Sequence, residues 1–278
     1  MEQPMTATLE PQRATADDEA ASPRRSPPAR PSLRRRGRHP LLVLAPERIA
    51  AVLLAAILAF AALSTIGRVG MLYVDGTEHG GLQEIAYRFD LDRESNITTW
   101  FSSTVLLSCG VALAVIAVFT RNARRPFAFH WALLAATFVF LSLDESAYLH
   151  EILIVPLRRR LGVGGVLYFA WVIPGFAAVA AFGLSYLRFL WHLDRRSFRL
   201  FLAAGALFVG GALGLELVGG ALAEAYGLQA LSYTAVMTCE EVLEMLGSGL
   251  FLYALLDYVR RHFGSWQVRL AAPRAATV

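Results

Sequence analysis

Six stretches of this chain stay apolar for about 20 residues at a time, at about 49–68, 100–120, 127–149, 165–187, 200–223 and 233–256. A helix rising about 1.5 Å per residue needs about 20 such residues to cross a hydrocarbon layer of about 30 Å. Charges and prolines mark the limits. Arg48 and Arg68 flank the first stretch, Arg121 ends the second and Pro126 opens the third, while Leu161–Leu187, which holds the fourth, carries no charge at all. Runs this long and this free of charge predict helices, because a strand would leave its backbone polar groups unpaired in lipid. The expected fold is all-α: a polytopic membrane protein, a bundle of six transmembrane helices.

Composition supports that pattern. Of 278 residues, 56% are hydrophobic and 17% charged, against about 25% charged in a soluble domain. The hydrophobic content also excludes a disordered chain. Two cysteines exclude a disulfide framework and a four-cysteine zinc site. Residues 1–40 differ from the rest. They are rich in Pro, Ala, Arg, Ser and Thr without apolar period, which predicts a disordered tail. The first apolar run starts too far along to be the core of a signal peptide and reads as an uncleaved span. The expected organisation is a tail at 1–40, a six-span domain at 41–262 and a short tail at 263–278.

All 26 basic residues are arginine. With the N-terminus in the cytoplasm, 20 of them fall on the cytoplasmic side and six on the other, namely Arg68, Arg88, Arg93, Arg158, Arg159 and Arg160. That bias predicts both termini in the cytoplasm and placement in the inner or plasma membrane. The basic tail sits beside apolar spans, so it reads as a topology signal or a partner for lipid headgroups rather than for nucleic acid. The Arg158–Arg160 block reads as a solvated interfacial turn, the alternatives being a helix cap or an anion contact. The loop at 69–99 holds Asp75, Glu78, His79, Glu84, Asp90, Asp92 and Glu94. It reads as a polar loop, with a short interfacial helix over 89–96 as the alternative. Asn96-Ile97-Thr98 forms a glycosylation triplet too close to the membrane to carry weight. In the fifth span Gly210 and Gly214 are spaced for close helix packing. Pro174 predicts a kink in the fourth.

The chemistry lies in acids placed where lipid would surround them. The third span carries Asp144, Glu145 and, near its end, His150 and Glu151; the fifth carries Glu216; the sixth carries Glu240, Glu241 and Glu244. An Asp at a helix centre costs about 2.5–3.5 kcal/mol even on mild insertion scales. At 1.5 Å per residue, Asp144, Glu216 and Glu240 each lie about 24–26 Å from the cytoplasmic edge. Three helices thus bring carboxylates to one layer of the outer leaflet. Glu240, Glu241 and Glu244 share a broad face, as do Asp144 and Glu151, whereas His150 is turned about 100° from Glu151.

Six unpaired carboxylates at one depth are not stable. Protonation, a metal cation, or arginines folded back from Arg158–Arg160, Arg88 or Arg93 could relieve them. Carboxylates with one imidazole suit a divalent metal such as Fe, Mn or Zn. The candidate ligands are Asp144, Glu145, His150, Glu151, Glu216, Glu240, Glu241 and Glu244, and Cys239 could add a thiolate. The Glu-x-x-His pairs of di-iron bundles are absent. Glu240-Glu241 resembles the start of the Glu-Glu-x-x-x-Arg motif of intramembrane prenyl-protein proteases, but Met245 stands where the arginine would be. The leading expectation is a metal-dependent enzyme acting on a lipid or another amphiphile. The alternatives are a proton- or cation-coupled transporter, and a non-catalytic sensor or assembly factor. Acids are absent from the cytoplasmic half of every expected span, which counts against transport.

Overall fold

The computed structural model describes residues 45–73 and 80–264, and among these all regular structure is helical. The helices are α1 (Pro46–Tyr73), α2 (Gly80–Phe89), α3 (Ile97–Asn122), α4 (Ala128–Ala147), α5 (Ile154–Leu161), α6 (Val172–His192), α7 (Arg195–Val209), α8 (Glu216–Tyr226) and α9 (Leu231–Phe263). A π-helical turn, Gly210–Leu215, joins α7 to α8, so Arg195–Tyr226 forms one span. Among the described residues six helices are long and apolar enough to cross a membrane, and they overlap the six apolar runs of the sequence. The N-terminal tail, Asp75, Glu78, His79 and the chain beyond Gly264 lie outside the described residues.

Several boundaries differ from the sequence reading for local reasons. α4 ends at Ala147, not 149, because Tyr148 takes a left-handed conformation (φ 52°) with its N–H on the Asp144 carbonyl at 2.6 Å. α6 starts at Val172, not 165, since Gly165 (φ 60°) opens a 3₁₀ turn ahead of it. Pro174 therefore stands in the first turn of α6, where its missing N–H is not needed, and it does not kink the helix. α9 continues about two turns beyond 256, to Phe263. The short helix of the polar loop is α2, and residues 90–96 turn back into α3. Asn96 is buried as the N-cap of α3. Its side-chain oxygen accepts from Thr99 N (3.0 Å) and its amide donates to the Asp90 carbonyl (2.6 Å), so it is no sugar acceptor.

The two ends of the bundle differ in chemistry. At the end where α3 leaves and α7 enters, an apolar core of Cys109, Leu113, Ile116, Trp131, Phe189, Phe251 and Leu255 is sealed. Just outside it lies Asp257, fully buried, with Arg196 at 2.9 Å and Arg260 and Arg261 each at 2.8 Å. Asp194 caps α7 and holds Arg261 at 3.0 Å; Ser197 and Arg261 outweigh its partial burial and pull its pKa down to about 2. At the opposite end Arg68 of α1 reaches Asp90 (2.7 Å) and Asp92 (2.5 Å), pinning the 90–96 turn to α1.

Small residues set the helix spacing. A Cβ on Gly247 would stand 2.6 Å from Phe208 N and 2.9 Å from the Ala204 carbonyl, so α7 and α9 touch there through backbone. Gly211 meets α9 in the same way at the Glu240 carbonyl (2.8 Å), whereas Gly210 and Gly214, the expected packing pair, face open space. The π-helical turn has rotated the glycine face by a residue. Ser103 Oγ of α3 meets Ser142 Oγ (3.0 Å) and Ser146 Oγ (2.7 Å), fixing the acidic end of α4.

Gly247→Ala is expected to push against rigid backbone and cost about 1–3 kcal/mol, lowering the melting temperature in detergent. Gly214→Ala is expected to leave it unchanged. Equal melting points for the two variants would contradict this packing.

Candidate functional site

All eight residues singled out from the sequence line one cavity of about 500 Å³. Each reaches it by a different route. Asp144 and Glu145 come from the last turn of α4. His150 and Glu151 come from the turn after the break at Tyr148, and both line the cavity although they are successive residues. Glu216 opens α8 directly after the π-helical turn. Glu240, Glu241 and Glu244 share one face of α9. Cys239 is exposed and lies off this face. Asp92, Glu94, Trp171 and Tyr233 also line the cavity; the sequence places Asp92 and Glu94 in a polar loop, and Trp171 and Tyr233 are two aromatic residues among many. One signal was present: Tyr233 stands two turns before Glu240 on the same stripe.

The hydrogen bonds are uneven. His150 Nδ1 lies 2.8 Å from Asp144 Oδ2, and the His150 backbone N–H donates to Asp144 Oδ1 at 2.9 Å. Trp171 Nε1 donates to Glu216 at 2.7 Å, and the Trp171 and His150 rings lie 4.4 Å apart. Tyr233 donates to Asp92 at 3.2 Å. Two contacts are carboxyl on carboxyl, Glu216 with Glu240 and Glu94 with Glu151. Each such pair needs a shared proton or a cation. Glu241 and Glu244 are half-buried, line the cavity, and have no hydrogen-bond or ion-pair partner among the described residues.

Among the described residues nine carboxyl groups line the cavity, and the basic side chains lining it are His150 and Arg93. Arg93 is already shared with Asp90 at 3.4 Å. The other expected counter-charges are elsewhere: Arg88 pairs with Glu84, and Arg158 covers the Tyr168 ring at 4.3 Å. Among the described residues no three His, Cys, Asp or Glu groups are arranged so that one metal ion could take them together. The carboxyls surround a space rather than a point.

At the mouth, burial works against a charge on His150, but the Asp144 carboxylate prevails and holds its pKa above the usual imidazole value. Partial burial and the neighbouring Glu94 push Glu151 up to about 7. For both groups the folded state binds protons more tightly than the unfolded chain, so stability is greatest at low pH and falls as pH rises. For Glu151 the window runs from 4.5 to about 7. In chelator-containing buffer, Glu151→Gln is expected to raise the melting temperature at pH 8 relative to wild type and to change it little near pH 4.5. A gain confined to the acid side would contradict this assignment.

Residues 49–259 match the family described as a domain of unknown function (DUF8692). None of the curated proteins and none of the solved structures compared with the chain matches it. The match covers most of the chain, so the protein belongs to that family.

Proposed function

We propose that this is an integral membrane protein whose acid-lined cavity, in the outer half of the bilayer, captures a cation and acts there on an amphiphile. Both termini face the cytoplasm in this reading, because 20 of the 26 arginines then lie on that side. The sealed end with Asp257 and its arginines becomes the inner end, and the cavity opens outward.

One observation carries the proposal. Carboxyls from α4, α8, α9 and two connecting segments converge on a single cavity, with His150 and an already shared Arg93 as its basic side chains. Such a site draws in positive charge, since buried like charges cannot remain ionised together. In the enzymatic form of the reading the cation is a divalent metal, Fe, Mn or Zn. The side chains that would hold it are drawn from Asp144, Glu145, His150, Glu151, Glu216, Glu240, Glu241 and Glu244, and the ion would supply Lewis-acid activation of a water beside a lipid-like substrate. Transport is less well supported. A conduction path would have to pass the packed core around Ile116 and Leu255 and then the Asp257 cluster.

The test is metal content and metal binding of detergent-purified full-length protein prepared without chelators. The wild type is expected to retain or take up at least one equivalent of Mn²⁺, Fe²⁺ or Zn²⁺. The Glu241→Gln, Glu244→Gln double variant is expected to bind at least tenfold more weakly while melting as a folded protein. A wild type that binds none of the three would overturn the metal form of the proposal.

A further inference from the structure

The cavity is not closed on all sides. α4 and α6 meet firmly at the sealed end, where Trp131 packs on Phe189 at 4.8 Å and Tyr186 donates to the His130 carbonyl at 2.8 Å. Three turns along α4 the contact is gone: Phe140 of α4 and Val179 of α6 line the cavity, yet they are 54% and 39% exposed. α6 has few contacts beyond this, its packing in the upper half falling mainly on the π-helical turn, with Gly175 against Leu213. Phe140 and Val179 thus border the cavity and the apolar outer surface at once, which leaves an opening between α4 and α6 at this level. On that surface Leu143 and Leu153 are also exposed. In a membrane it would face acyl chains rather than water.

From the gap and from the charge, we infer that the occupant is an amphiphile with a cationic amine headgroup, which enters sideways from the bilayer between α4 and α6. This rests on the reading of the cavity as a cation site and names the class of molecule it takes. The ammonium group would reach Glu241 and Glu244, two half-buried carboxyls that line the cavity and have no hydrogen-bond or ion-pair partner among the described residues. Trp171 and Tyr233 line the same space, and aromatic rings attract a cation. The alkyl chain would lie in the α4–α6 gap against Phe140 and Val179. A cavity of about 500 Å³ suits an organic headgroup with the first part of its chain better than a bare ion. A soluble cation entering from the mouth would have no use for the apolar gap, and a neutral lipid no use for the carboxyls.

The experiment uses full-length protein in nanodiscs of neutral phosphatidylcholine, with binding of labelled hexadecylamine, hexadecanol and butylamine measured against empty nanodiscs. Saturable binding of hexadecylamine, at least tenfold tighter than either other probe and lost in the Glu241→Gln, Glu244→Gln variant, is the expected result. To block the gap without disturbing folding, the Val179→Cys variant in a Cys239→Ala background is labelled after purification with a bulky maleimide. Labelling is expected to weaken hexadecylamine at least tenfold and to leave butylamine unchanged. Butylamine binding as tightly as hexadecylamine, or a block without effect, would overturn lateral entry and leave the cation site standing. Hexadecanol binding as tightly as hexadecylamine would overturn the amine headgroup. Metal binding without amine binding would overturn the inference alone, whereas absence of both would remove the cation site as well.

Discussion

The structure is organised around the cost of keeping many carboxyl groups together away from bulk water. Among the described residues nine line one cavity, with Asp92, Glu94 and Glu151 exposed, and the compensation is partial: His150 held by Asp144, an indole N–H on Glu216, Arg68 and a tyrosine on Asp92, and an arginine that already serves Asp90. Ordinary folding would not assemble this. Separate apolar helices could have met with leucines in the same positions and been more stable for it. The remainder of the bundle supports the arrangement. Serines lock α4 on α3, Gly211 and Gly247 bring α7 and its π-helical turn onto α9, and the far end is filled with aromatic side chains.

The far end shows the contrast. Asp257 is as deeply buried as any acid in the bundle, but three arginines reach it within 2.9 Å. There the charge is neutralised within the protein and the site is closed. In the cavity it is not, so a proton or an incoming cation must complete it. The same residue type thus acts as a structural clasp at one end and as an open binding group at the other. What differs is how many arginines the chain supplies to each carboxyl: three on Asp257, against Arg68 and Arg93 at the edge of the cavity.

Much of this was legible in the sequence, and the limits of legibility are physical. Six spans follow from length and hydropathy, which need no tertiary information. The shared depth of Asp144, Glu216 and Glu240 follows from the fixed rise of a helix, and these residues do line one cavity. Orientation about a helix axis was harder. His150 and Glu151 follow the break at Tyr148 and both line the cavity, and the π-helical turn moves the close contact from Gly210 to Gly211. Neither departure from regular helix has a periodic signal. Asp257 was overlooked because α9 extends beyond its apolar stretch, and Trp171 because its role depends on where α6 begins.

The central claim is that the cavity is negatively charged and opens on the outer side. The most direct measurement is the rate at which charged thiol reagents reach its interior. A Glu241→Cys variant, made in a Cys239→Ala background and held in sealed, oriented vesicles, would be treated with membrane-impermeant methanethiosulfonates. One reagent carries a trimethylammonium group and the other a sulfonate. The account predicts modification from the outer side, at least about tenfold faster with the cationic reagent, with the advantage shrinking as salt is raised. Equal rates for the two reagents, or reaction only from the inner side, would contradict it.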